Sequence, residues 1–108
     1  SVAAGLDYVG VSPILAHLYD IGRVRFEAAL DSEVTEALAM TMRMEGLIPA
    51  LESSHAFVQA YKEAPKLSKD QNILIGMSGR GDKDIFTVAD ALKDGEWKKF
   101  LRQRAAKT

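Results

Sequence analysis

The chain has 108 residues, 47% of them hydrophobic and 27% charged, with a net charge of -1. This is the composition of one ordinary globular domain, which excludes a disordered chain; the mixed charges supply neither a basic stripe for nucleic acid nor an acidic tail. Without cysteine there is no disulfide and no thiolate metal site, so a cytoplasmic setting is expected, and no apolar run approaches the ~18 residues of a membrane helix.

In chain order, the first 13 residues read as irregular, punctuated by Gly5, Gly10 and Pro13, with Asp7 among small and apolar neighbours. No signal peptide is visible and no starting methionine, so the opening reads as a segment entered within a longer protein, or a processed product. Pro13 suits the first turn of a short helix to Tyr19, and Gly22 suits its stop. The stretch "RVRFEAAL" alternates, with Val24, Phe26 and Ala28 on one face and Arg23, Arg25 and Glu27 on the other, which predicts a half-buried strand. Asp31 and Ser32 are helix-capping types, and Val34, Leu38 and Met42 recur at helical spacing, which predicts a helix over 32–45 ended by Gly46. Pro49 opens a second helix, to about Ala64. The short apolar run "NILIGM" reads as a buried strand. A helix follows Asp84, Gly95 breaks it, and "EWKKFLRQRAAKT" reads as a basic amphipathic helix with Trp97, Phe100 and Leu101 on its apolar side.

The expected fold is therefore α/β, with a mostly parallel sheet, two strands and about five helices. Two strands make no viable sheet alone. The chain reads as a piece of a larger domain, or as one that completes its sheet by oligomerising.

The most suggestive stretch is "MSGRGDKDIF". A strand, then Ser-Gly-x-Gly, then a helix is a common ligand-binding layout, because ligands in open α/β sheets bind beyond the carboxyl ends of strands. Ser78 offers a hydroxyl, and Gly79 and Gly81 let the backbone approach a ligand closely. The spacing is neither a P-loop nor a dinucleotide fingerprint. A tight turn that merely needs glycine is the competing reading. The adhesion tripeptide Arg80-Gly81-Asp82 would need an exposed, mobile loop tip. Lys83, flanked by Asp82 and Asp84, reads as a charged surface ion-pair partner rather than a cofactor lysine, which needs burial to lower its pKa.

Glu52 lies in the first turn of its helix, where an acidic residue complements the dipole or faces a ligand. His55 shares its face, as half of a metal pair without a third ligand or, better, as a structural hydrogen-bonding group. His17 reads as a helix-face residue without a chemical role. Asp7 caps a local turn or awaits an arginine from elsewhere. Met40, Met42 and Met44 read as core filling.

Taken together, "AGLDY", "EGLIPALESSHA" and "SGRGDKDIFTVAD" resemble, in family order, three blocks of the C-terminal part of tryptophan synthase beta chains. The resemblance runs from about Ala3 to about Leu92. It implies a pyridoxal-phosphate enzyme of the second structural class that joins indole to serine, with an alpha chain and a second beta chain as partners. It implies that residues 1–108 are one C-terminal segment lacking the catalytic N-terminal part, which carries the Schiff-base lysine, the catalytic glutamate and the phosphate loop. The segment alone is then expected to be inactive.

By the same resemblance, Ser78 matches the serine that meets the cofactor's pyridine nitrogen, and Gly79, Arg80 and Gly81 match the loop beside it. Glu52 matches a carboxylate close to the cofactor ring. Asp7 matches the acid that engages when the enzyme closes over its substrate. The backbone carbonyls of Tyr8 and Gly10 match positions that hold a monovalent cation. The sequence departs from the family pattern at Val9, Ser12 and Leu15, where Pro, Gly and His are frequent. Two alternatives stand beside this reading: a non-catalytic binding or dimerisation module, and another enzyme of the same class, such as a threonine synthase or a serine dehydratase.

Overall fold

A computed structural model describes residues 1–107. Five α-helices follow one another: α1 (Pro13–Asp20), α2 (Asp31–Glu45), α3 (Leu51–Glu63), α4 (Ile85–Ala91) and α5 (Gly95–Ala105). Single 3-10 turns occupy Ala4–Leu6, Ala64–Lys66 and Gly81–Asp84.

The α/β expectation is overturned. Among the described residues there is no strand and no sheet, and the sole β pairing is an isolated antiparallel bridge between Pro49 and Arg80. The stretch "NILIGM" runs without ladder bonds, and Leu74 is 99% exposed, the reverse of a buried strand. The stretch "RVRFEAAL" is also irregular, although Arg25 and Glu27, placed on one face by the alternation, do form an ion pair at 2.7 Å. Phe26 stacks on Tyr19 with ring centroids 5.3 Å apart. The physical reason is that alternation and apolarity specify how a strand would face its surroundings, whereas a strand exists only when neighbouring backbone takes its N–H and C=O groups. These two segments do not provide that backbone for each other.

Most helices form close to where local signals predict, but Pro49 does not open α3: it pairs with Arg80 in the isolated bridge, and the helix starts two residues later, at Leu51. Ser12 accepts from the Leu15 N–H at 3.2 Å and Pro13 occupies the first turn of α1. α2 starts one residue before the expectation: Glu33 reaches back to the Leu30 N–H at 2.8 Å, and Asp31 instead accepts from the Val2 N–H at 3.0 Å. Gly46 ends α2 with φ of 67°, a left-handed conformation that favours glycine. Asp94 caps α5 through the Glu96 and Trp97 N–H groups, so Gly95 opens that helix.

α2 and α3 pack face to face and make the core, in which Val34, Ala37 and Leu38 meet Leu51 and Val58, with Ala3 and Val88 closing the ends. Thr41 and Ser54 are fully buried and donate to the carbonyls of Ala37 and Ala50, four residues back. With its own proton engaged, Thr41 Oγ1 accepts from the Tyr61 hydroxyl at 2.6 Å. Met40, Met42 and Met44, expected in the core, are at least one third exposed.

Candidate functional site

The α2–α3 hairpin brings the first turn of α3 against two distant segments. One is the N-terminal 3-10 turn and the other is the glycine loop, 78–84. The three blocks that are separate in sequence thus meet in space, around Glu52 and Ser53.

The glycine loop is zipped onto the approach to α3. Ala50 donates to the Gly79 carbonyl at 3.0 Å, and the Gly81 N–H to the Ile48 carbonyl at 2.7 Å. A Cβ on Gly81 would stand 2.3 Å from the Pro49 carbonyl oxygen, so only glycine permits this approach. Arg80 is exposed but paired with Asp82 at 3.1 Å. The adhesion reading loses its premise, because the middle residue of that tripeptide is buried and its backbone is tied down.

Ser78 is exposed at the head of the loop, with its Oγ 3.2 Å from Ser53 Oγ. Ser53 is 3% exposed and also accepts from the Gly79 N–H at 3.2 Å. A hydroxyl has one proton to give. Either hydroxyl can be the donor in this pair; if Ser53 donates, the Ser78 proton is available to another acceptor. A hydroxyl so placed can donate to, or accept from, a polar group set before it, and a ring nitrogen is compatible with either. Ser53 escaped the sequence reading, where it was one serine of a pair beside an acidic residue.

Glu52 is engaged at both oxygens. Oε1 accepts from the Gly5 N–H at 2.9 Å and Oε2 from Lys83 Nζ at 3.0 Å. Its own backbone N–H, then Lys83, then Gly5 hold the carboxyl below the ordinary carboxylate range, against the opposing effect of burial. Lys83 Nζ lies 2.9 Å from both oxygens of Asp84, and Asp84 first, with Glu52, raises the ammonium above its usual value. Lys83 is therefore a charged ion-pair partner, as its acidic neighbours foretold. Asp84 Oδ2 in turn accepts from the Leu51 N–H at 3.1 Å, capping α3 from a different part of the chain.

Asp7, Tyr8 and Gly10 lie in exposed backbone just past the first 3-10 turn and do not join the cluster. His55 Nδ1 donates to the Leu51 carbonyl at 2.9 Å, the structural role preferred for it. No group of three His, Cys, Asp or Glu side chains among the described residues could hold a metal.

Fold and cluster together define a helical segment in which the N-terminal turn, the first turn of α3 and the glycine loop are hydrogen-bonded to one another. No family model matches the chain. Curated relatives do: it is 50% identical over 107 residues to the tryptophan synthase beta chain of Helicobacter hepaticus, covering 99% of this chain and 25% of that protein. It is 52% identical over 98 residues to the beta chain of Anoxybacillus flavithermus, covering 91% and 25%, and 52% identical over 95 residues to that of Allorhizobium ampelinum, covering 88% and 23%. The chain belongs to the tryptophan synthase beta-chain family, of whose members it spans about a quarter, the C-terminal part. The threonine synthase and serine dehydratase alternatives gain no relative from these matches.

Proposed function

We propose that this segment supplies the pyridine-nitrogen side of a pyridoxal-phosphate site in an enzyme that makes tryptophan from indole and serine by β-replacement. The observation that supports it best is the Ser53–Ser78–Gly79 hydrogen-bond cluster, which holds the exposed Ser78 hydroxyl at the head of the glycine loop. Pyridoxal phosphate, when bound, supplies the electron sink for the replacement at the serine β-carbon. Ser78 would hold its ring nitrogen with a neutral hydrogen bond, leaving that nitrogen largely unprotonated. Gly79, Arg80 and Gly81 would shape the loop beside it, and Glu52 would stand near the ring as a fixed anion.

Asp7, exposed at the end of its turn, would engage on closure with a cation from elsewhere in the whole protein. Carbonyl oxygens suit hard cations, so those of Tyr8 and Gly10 would contribute to a monovalent-cation shell. Two carbonyls do not complete one, and the remaining ligands would come from outside this segment. The Schiff-base lysine would come from the preceding part of the family's chain, and the whole protein would have an alpha chain and a second beta chain as partners. Residues 1–108 would be a single C-terminal segment, inactive alone, in a cytoplasmic enzyme. Among the described residues no helix is long and apolar enough to cross a membrane.

The test is Ser78→Ala in a full-length beta chain carrying these 108 residues. Losing a neutral hydrogen bond of about 1 kcal/mol should weaken cofactor retention severalfold in equilibrium dialysis, and tryptophan formation should fall with it. Unchanged retention together with unchanged turnover would sink the assignment.

A further inference from the structure

Two carboxylates meet on Lys83. Its Nζ touches Glu52 on α3 and Asp84 on the glycine loop, and each of those carboxylates also accepts one backbone N–H from another segment. Glu52 takes Gly5, in the turn that leads to Asp7, and Asp84 takes Leu51, the first residue of α3. The two carboxylates share one nitrogen, so they stand no more than about 6 Å apart, where like charges repel strongly unless a cation separates them.

Exposed ion pairs are usually worth little. This one differs in that the partners are withdrawn from solvent, with 23% of the Glu52 side chain and 13% of the Asp84 side chain exposed, against 55% for Lys83. Removing the lysine would leave two half-buried carboxylates facing each other. Close packing tightens the same joint, because a Cβ on Gly5 would stand 2.6 Å from Glu52 Oε1.

We propose that Lys83 is a positioning residue: it pins Glu52 between the glycine loop and the N-terminal turn, so that the segment bearing Ser78 and the segment leading to Asp7 move as one unit. Glu52 then acts as a strut as well as a wall group. The inference stands on geometry that needs no cofactor, so it can fail while the proposed function survives, and the reverse.

The test is residue-resolved hydrogen exchange in a cofactor-free, full-length beta chain carrying this segment, comparing wild type with Lys83→Met, Lys83→Arg and Glu52→Gln. In Lys83→Met, the Gly5 and Leu51 amides should exchange about tenfold faster, the loss expected when charge-assisted bonds to half-buried groups are undone. The Val58 amide, inside α3, should stay within about twofold and serves as the reference for global opening. Lys83→Arg should restore most of the protection. Glu52→Gln should free Gly5 but not Leu51, because Asp84 keeps the lysine. Unchanged Gly5 exchange in Lys83→Met would overturn the proposal. So would equal acceleration at Gly5 and Val58, which would make Lys83 a general stabiliser.

Discussion

At the scale of single residues, the site depends on close approaches that leave no room for a side chain. Gly81 is the clearest, since a methyl there meets the Pro49 carbonyl oxygen and the Ile48 side chain at 2.3 and 2.8 Å. Gly81→Ala should cost about 1–3 kcal/mol in urea unfolding of a full-length beta chain, the usual penalty for overpacking, whereas Gly76→Ala, with nothing within 4 Å, should cost far less. Glu52 gives a pH prediction. Its folded value is lowered from 4.5, so its contribution to stability is fully present above about pH 4.5 and is lost as the pH falls through the folded value. Glu52→Gln should therefore flatten the acid side of the stability profile in that window. A profile that stays as steep would show that other carboxylates set it. Little of this was legible in sequence: Ser78, Glu52 and the glycines stood out as types, but the Gly5–Glu52 bond joins residues 47 apart and leaves no periodic trace.

At the scale of elements, helix α2 shows how a polar group can serve a core. Thr41 is fully buried, spends its proton on Ala37 and accepts from Tyr61. Thr41→Val preserves shape and removes that acceptor, so it should destabilise by about 1 kcal/mol in thermal or urea unfolding, while Thr41→Ser should cost less on the hydrogen-bond side. A neutral Thr41→Val would mean that the tyrosine finds water instead. The helices themselves were readable because their signals are local. Capping residues, a proline at the first turn and apolar spacing all act within one or two turns. The strands failed for the opposite reason, since the strand pattern does not name the backbone that must pair with it. The route to dimers through open strand edges falls with them.

At the scale of the whole molecule, the chain is extended for its length. Its radius of gyration is 17.0 Å, against about 13 Å for a compact domain of this size. It measures 59 by 37 by 19 Å. Large apolar side chains outside the α2–α3 core are widely exposed, among them Val9, Ile14, Leu74 and Phe86, and Phe86, Trp97 and Phe100 stack on one another over α4 and α5. A groove of about 480 Å³ between α3 and the stretch 73–76 stays open. Exposed apolar surface favours association in water. We expect the isolated chain to bind a hydrophobic dye and to associate as its concentration rises. Mixing it with the complementary three quarters of a beta chain should suppress both effects and restore tryptophan formation; dye binding that does not fall on mixing would count against the segment reading.

What the amino-acid sequence determined by itself is the helical skeleton, the residue types at the wall and, through three blocks of resemblance, the family. Those depend on neighbours within a few residues, or on identity alone. Tertiary structure decided that the alternating stretch and the apolar stretch are not strands, that Ser53 Oγ lies 3.2 Å from Ser78 Oγ, and that Glu52 bonds both the Gly5 N–H and Lys83. Each depends on which backbone and side-chain atoms come within hydrogen-bonding distance across tens of residues. Chain connectivity permits many such pairings, and only packing selects one.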